Sequence, residues 1–273
     1  MAGKELAAQN TLGGLEAFNN FASVNAQIQG LEVVDASDIK MPKIKLLQPM
    51  SDEVTTNKGR AGQFYNTLTE EAMDTLECSF LMLGKSRIKW RKPFKRGEDP
   101  ECRSFDGEYS EDGVSCKTCP DCKWGNNKER PDCGMSYTWL GAIPTASGDY
   151  QAFRMIAAGT SFGPTRDFIG KVMNILRIGG RTYPLYILKV KVTSSLEKGE
   201  SGSYYVMKYE LAVSGKDSTG RDIYDMIPIE SAPAFDNMLM NLKDLFAEVN
   251  RKDVVTASGS EDVVPETGAG ALF

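Results

Sequence analysis

The sequence predicts a mainly β, α+β fold built around a small Greek-key barrel. Three observations predict it: several short segments in which apolar and polar residues alternate, a mid-chain helix at 164–178 between two groups of strands, and a closing helix at about 232–250. The OB-fold is one barrel of this type, and it often binds single-stranded nucleic acid. The same pattern would also fit another α+β fold.

The predicted strands are segments of alternating character in the middle of the chain. They cover residues 43–48, 61–68, 76–90, 135–143, 150–158, 183–193 and 203–213. The last two are joined by the polar loop SSLEKGESGS, and each has one apolar face. Their other faces are polar, basic and partly aromatic, so we expect one side of this pair in the core and the other at the surface.

The two predicted helices carry start and stop signals. Pro164 suits the first position of the mid-chain helix, and Gly179 and Gly180 end its apolar stripe. Ser231 can cap the closing helix.

The chain is predicted to have three parts. Residues 1–38 form a flexible N-terminal arm, with docking on a neighbouring subunit as the alternative. Residues 39–250 form the OB-like core, which carries a cysteine-rich insert at about 97–134. Residues 251–273 form a flexible acidic C-terminal tail, in which three acidic residues follow position 254 without any basic residue.

Composition points away from catalysis and toward binding. The 273 residues include 32 Lys and Arg, 37 Asp and Glu, and no histidine, which gives a net charge of −5. The absence of histidine excludes Ser-His-Asp and Cys-His nucleophile pairs and imidazole general bases. Acidic residues are abundant, but no spacing indicates a carboxylate nuclease with Mg²⁺. We therefore expect a protein that is not an enzyme.

Targeting signals are not recognised in the sequence. The first residues, MAGKELAAQN, lack the pattern of a signal peptide. No apolar run approaches the roughly 20 residues of a membrane helix. We expect a cytoplasmic protein, in the host cytoplasm if a phage encodes it. Thiols are kept reduced there, so the six cysteines indicate metal binding or structural use rather than disulfides.

Five of the six cysteines lie in the insert, and they predict a structural zinc site. Two C-x2-C steps, CKTC and CPDC, allow two thiolates to bind one ion from a tight turn. With no histidine, the site must be all-thiolate, which favours Zn²⁺. We favour Cys102, Cys116, Cys119 and Cys133 as ligands, with Cys122 as the alternate. A competing set replaces Cys116 with Cys122.

The predicted zinc is structural rather than catalytic, because four protein ligands leave no position for an activated water. Residues 97–134 contain too few apolar side chains to fold alone, and structural zinc contributes on the order of 10 kcal/mol in isolated fingers. Cys78, the sixth cysteine, lies on an apolar strand face and is expected in the core.

The segment KSRIKWRKPFKR, residues 85–96, predicts a nucleic-acid contact. Its seven cations would follow phosphates, and its two aromatic rings would stack on bases, each worth roughly 1–3 kcal/mol. The residues concerned are Lys85, Arg87, Lys89, Trp90, Arg91, Lys92, Phe94, Lys95 and Arg96. The alternative is a solvated strand end with Trp90 packed in the core. Further residues expected to line the groove are Phe153, Arg154, Lys189, Lys191, Tyr204 and Lys208.

The motif PKIKLLQPMS, the basic RIKW strand and the C…C-x2-CP…W…C insert together give a family resemblance over about residues 40–250. The chain resembles phage-encoded single-stranded DNA-binding proteins, similar to the T-even phage helix-destabilising protein. The resemblance implies an OB-fold with an inserted zinc module and an acidic tail that contacts replication proteins such as a polymerase or helicase. The T-even protein has a histidine among its zinc ligands, and here Cys102 would take that role.

These observations predict a sequence-independent single-stranded DNA-binding protein that acts in phage DNA replication, recombination or repair. Its binding should weaken steeply as salt rises. The alternative is a zinc-stabilised protein-protein adaptor or virion-associated protein without nucleic-acid binding.

Overall fold

A computed structural model describes residues 41–93, 100–104, 106–126, 129–145, 148–178, 180–199 and 202–243. The predicted N-terminal arm and acidic tail lie outside these residues. The chain divides into two compact units, residues 1–40 with 144–150 and residues 41–143 with 151–273. In the first unit the described residues form a turn in which the Thr145 N–H donates to the Asp149 carbonyl at 2.8 Å. The sites discussed below lie in the second unit.

The described strands are β1 (Lys43–Leu46), β2 (Phe64–Asn66), β3 (Ala72–Met73), β4 (Leu76–Lys89), β5 (Cys102–Ser104), β6 (Cys133–Pro144), β7 (Tyr150–Ala157), β8 (Arg177–Ile178), β9 (Arg181–Thr182), β10 (Val190–Gly199), β11 (Gly202–Leu211), β12 (Val213–Lys216) and β13 (Asp222–Tyr224). The helices are α1 (Asp52–Thr55), α2 (Phe162–Ile175) and α3 (232–243). Single 3-10 turns cover Pro120–Cys122, Gly159–Ser161, Leu185–Ile187 and Ile229–Ser231.

A mixed sheet forms the body of the second unit. Its strand order is β11-β10-β4-β6-β7-β1-β2-β3, and β5 also pairs with β4. The β1–β7 pair is parallel, whereas β4 runs antiparallel to β5, β6 and β10. The sheet curls into a half-barrel, so the predicted α+β, barrel-like fold is confirmed.

Strand β4 belongs to both halves of the curl. On one edge it pairs with β6 along Ser79–Lys89. On the other edge its start, Leu76–Cys78, pairs with β10, and its end, Arg87–Lys89, pairs with β5. A register shift between Phe80 and Met82 marks a bulge, which bends a strand and increases its twist.

Stacked aromatic rings fill the core under α2. The Phe80 and Trp139 rings stack with centroids 4.2 Å apart, and Phe168 of α2 stacks on Tyr209 of β11 at 5.1 Å. Cys78 belongs to the same core cluster, so its predicted core position is confirmed. No helix among the described residues is long and apolar enough to cross a membrane.

Two predicted segments differ from the structure. The strand expected at 183–193 begins only at Val190, because Pro184 and the 3-10 turn Leu185–Ile187 occupy its first half. The polar loop expected at 194–203 is instead mostly paired, since β10 continues to Gly199 and β11 starts at Gly202. Lys198 of β10 and Ser203 of β11 are exposed, so the polarity that suggested a loop reflects the exposure of this end of the strand pair.

Candidate metal centre and nucleic-acid surface

The sheet places two cysteines of the insert on either side of Lys89. Cys102 of β5 is directly opposite Lys89 on one edge of β4, and Cys133 of β6 is directly opposite it on the other. Side chains at opposed positions of neighbouring strands point to the same face of a sheet. The first and last cysteines of the insert are therefore brought together by strand register, although 31 positions separate them.

Backbone turns bring the other three cysteines to the same place. The Cys116 N–H donates to the Glu108 carbonyl at 2.8 Å, and the Cys119 N–H donates to the Ser115 carbonyl at 3.1 Å. Cys122 ends the 3-10 turn Pro120–Cys122. These turns are the local structure that the two C-x2-C steps predict.

All five cysteines of the insert line one cavity of about 30 Å³. Cys116 and Cys133 are buried, and the other three are half-buried. Arg87, Lys89 and Asp121 also line this cavity. We call the five cysteine side chains the thiol cluster.

The electrostatics of the thiol cluster resist ionisation of the thiols. Burial raises the pKa of Cys102, and the neighbouring thiols of Cys133, Cys116 and Cys119 raise it further, in that order. Burial also raises the pKa of Cys122, which hydrogen-bonds to Cys133. Arg87 acts in the opposite direction, since its positive charge lowers the pKa of both Cys122 and Cys133.

The donor set fits a structural zinc ion in kind and number, because four of five clustered thiols can supply an all-thiolate tetrahedron. Among the described residues, however, no three Cys, Asp or Glu side chains stand close enough together to hold a metal ion as they are placed. The five thiols share one cavity. Rotation of side chains into the cavity is needed to bring four sulfurs onto one ion.

Much of the basic segment contacts the insert instead of forming an open groove. Lys89 Nζ donates to Glu101 Oε1 at 2.8 Å and to Asp121 Oδ2 at 2.9 Å, and these two bonds raise its pKa. Arg87 lines the thiol cavity. Lys85 is exposed, but Gly107 of the insert lies close to it. A Cβ atom added at Gly107 would be 3.1 Å from the Cβ of Lys85.

At the end of the basic segment, the predicted stacking role of Trp90 is wrong. Trp90 is 8 % exposed, so its ring belongs to the protein interior and not to a stacking surface. Arg91 and Lys92 are exposed, and Lys92 Nζ donates to Asp132 Oδ1 at 2.5 Å. The predicted contacts at Phe94, Lys95 and Arg96 lie outside the described residues.

Two further residues predicted to line the groove, both on β7, are not at the surface. Phe153 is fully buried, and Arg154 is 8 % exposed. A Cβ on Gly141 of β6 would stand 2.7 Å from the Phe153 ring, so this ring packs against the neighbouring strand. Neither residue can line a surface groove.

The predicted groove residues on and beside β10 and β11 are at the surface, but two are neutralised. Lys189 Nζ lies 3.1 Å from Asp225 Oδ2, and Lys208 Nζ lies 3.1 Å from Glu197 Oε1. Lys191 is exposed, and Tyr204 is half-buried. This face is therefore close to balanced in charge.

Comparison with known proteins adds a family. A model of the Pam3 phage gp34-like protein family matches residues 13–227. The chain belongs to the Pam3 phage gp34-like family. No curated protein and no solved structure matches it significantly.

Membership of the gp34-like family supports the phage part of the predicted resemblance. The match spans the cysteine insert, α2 and the β10–β11 pair, so the thiol cluster of this gp34-like protein lies within the matched region. The single-stranded DNA-binding part of the resemblance stays a prediction.

The structure of this gp34-like protein also reveals cations that the sequence reasoning missed. Arg166 lies on α2, and Arg177 and Arg181 lie on the β8–β9 ribbon, all three exposed. A sequence signal existed: residues 158–188 contain four cations and one acid, within a chain of net charge −5. The cations are spread among apolar residues, so they do not form the dense run seen at 85–96.

Proposed function

We propose that this gp34-like protein binds single-stranded DNA without sequence preference and acts in phage DNA replication, recombination or repair. The observation that carries the proposal is the curled sheet in which β4 pairs with β6 on one edge and with β10 and β5 on the other. It is a partly open barrel of the kind that OB-folds use to bind oligonucleotides. We assign it no catalytic step.

In this proposal the thiol cluster binds Zn²⁺ through Cys102, Cys116, Cys119 and Cys133, with Cys122 as the alternate. The ion supplies structure, because it ties β5 and β6 to the turns between them. A bound cation offsets the burial and the repulsion from neighbouring thiols that raise the pKa of Cys102 and Cys133, and Arg87 offsets part of the remaining negative charge. The metal is thus expected to bind with release of protons.

DNA contacts in this proposal come from exposed cations that have no carboxylate partner among the described residues. Lys85, Arg91 and Lys191 meet this description. Lys89, by contrast, has two carboxylate partners, so we assign it to anchoring the insert. The acidic tail, residues 251–273, is proposed to contact a polymerase or helicase.

The adaptor alternative is favoured by one observation. Four predicted DNA-contacting lysines, Lys89, Lys92, Lys189 and Lys208, are paired with carboxylates, whereas large apolar side chains near the start of α3 are exposed. Met226 is 53 % exposed and Ile229 is 84 % exposed. Such residues suit a protein partner.

The test is a titration of fluorescein-labelled oligo-dT with the full chain, read by fluorescence anisotropy at two salt concentrations. A labelled oligonucleotide is needed because buried Trp90 is a poor reporter of stacking. Binding that weakens as salt rises supports the proposal. No binding in dilute buffer by zinc-containing protein overturns it and favours the adaptor.

A further inference from the structure

An open cleft lies between α2 and the β8–β9 ribbon. Its volume is about 230 Å³, below the roughly 300–1,000 Å³ of usual drug-sized pockets. Leu83 and Trp139 of the barrel line its floor, Met173 lines its helix side, and Tyr183 lines its ribbon side. Met173 and Tyr183 are 46 % and 41 % exposed, so both present apolar surface to solvent.

Three arginines lie at or near this cleft. Arg177 lines it together with Thr182, its opposite residue on the ribbon, whereas Arg181 is the chain neighbour of Thr182 and lies at the edge of the cleft, on the alternate face of the ribbon. Arg166 is three and seven positions before Ile169 and Met173, two cleft residues, which places it on the same side of α2. Within the described part of the chain, none of the three arginines takes part in an ion pair or side-chain hydrogen bond.

Acidic residues are kept away from the cleft. None of its described lining residues is Asp or Glu. Asp167, the one acid of α2, is two positions from Ile169 and therefore about 200° around the helix from it. Among the described residues, the cleft thus combines an apolar floor with positive charge alone, in contrast to the paired Lys89, Lys189 and Lys208.

We propose that this cleft holds one unpaired base of a single-stranded nucleic acid, while Arg177 and Arg181 bind the flanking phosphates. Tyr183 offers a ring on which a base of any identity can stack. Arginine suits the phosphates because its planar fork can donate two hydrogen bonds to one phosphate group. This inference rests on the proposed function and gives it a specific contact site.

The first test compares two double variants of the full chain with wild type. R177A/R181A removes the arginine that lines the cleft and the arginine next to it on the ribbon, whereas R60A/K171A removes two exposed cations that do not line it. We expect the first to weaken oligo-dT binding and to lower the slope of log K against log salt by about 1.4, since each phosphate contact contributes about 0.7. The second should change neither quantity.

The second test separates stacking from charge. Tyr183→Ala should weaken oligo-dT binding by about 5- to 150-fold, the value of one lost stacking contact, and Tyr183→Phe should restore it. Equal melting temperatures for the variants exclude misfolding as the cause.

Wild-type binding that R177A/R181A and Tyr183→Ala leave unchanged overturns the cleft site while the proposed function stands. Absence of wild-type binding overturns both. Equal weakening by R60A/K171A also overturns the site, because it indicates a general charge effect.

Discussion

The side chain of Gln48 pairs with the backbone of Tyr205 as a strand residue would. Its Nε2 donates to the Tyr205 carbonyl at 2.9 Å, and its Oε1 accepts from the Tyr205 N–H at 2.9 Å. Close by, the Ser194 hydroxyl donates to the Gly62 carbonyl at 2.5 Å. These bonds join the segment after β1 to β11, which lies at one end of the strand order. The Gln48 amide therefore connects two parts of the curled sheet that are not paired through their backbones.

Gln48→Ala is therefore expected to lower the free energy of unfolding by about 1–3 kcal/mol, because two part-buried hydrogen bonds are lost at roughly 0.5–1.5 kcal/mol each. Chemical denaturation measures this. Gln63→Ala is the matched control, since within the described part of the chain the Gln63 side-chain amide bonds to Arg60 and Asp74, both at the surface. A loss at Gln48 no larger than at Gln63 would show that the pairing does not hold the barrel.

Each true zinc ligand in the thiol cluster should be essential for one bound zinc per chain. Serine substitutions of Cys102, Cys116, Cys119, Cys122 and Cys133 can be made singly, with zinc measured by elemental analysis. We expect four of them to lose the metal and one to keep it, because a tetrahedral site uses four thiolates.

Cys78→Ala is the control for the zinc experiment. Its thiol is buried in the barrel core, away from the cluster. This variant should be less stable yet retain zinc. Wild-type protein that carries no zinc, or retention of zinc by all five serine variants, would contradict the proposed site.

Lys89→Ala should affect the insert more than DNA binding. It removes both carboxylate contacts that join β4 to Glu101 and Asp121. We expect a lower melting temperature and weaker zinc retention, with oligo-dT affinity changed by less than about two-fold. Lys191→Ala, which removes an exposed cation, should show the reverse. If Lys89→Ala instead loses much of its oligo-dT affinity while its stability is unchanged, the result would support the predicted DNA contact of Lys89.

Asp217 provides a pH test of the β12–β13 turn. Its Oδ1 accepts from the Thr219 hydroxyl at 2.7 Å and from the Thr219 and Arg221 N–H groups at 2.8 and 3.0 Å. These bonds hold the pKa of the carboxyl below its ordinary value. The stability they contribute is present above the unfolded pKa of about 3.9 and is lost as pH falls through the lower folded pKa.

Asp217→Asn should therefore be less stable than wild type at neutral pH, and the difference should shrink as the pH falls below about 4. Unfolding by denaturant at several pH values measures it. A difference between the two proteins that stays constant over this range would argue against the ionised carboxylate as the stabilising form.

The sequence could predict the barrel and the cysteine insert because both depend on local patterns. Alternation identifies the strands, and C-x2-C steps identify turns that bring thiols together. It left open whether Trp90 is buried, and it could not predict that Lys89 would meet Glu101 and Asp121. The Lys89 contacts depend on how the insert folds back over β4, which is a long-range contact that no local pattern encodes.

The prediction that Phe153 and Arg154 line a surface groove was wrong for a related reason. Alternation shows that neighbouring residues point to opposite faces of a strand, but it does not show whether both faces are covered. Phe153 is fully buried and Arg154 nearly so. The cleft was missed because its arginines come from α2 and a two-residue strand pair, and only the folded chain makes them neighbours.

The insert leaves the barrel just after Lys89 and returns at Cys133, and these two residues already face each other across the β4–β6 ladder. The intervening stretch therefore begins and ends at the same place on the sheet. Replacing it by a short turn would convert β4 and β6 into a plain hairpin.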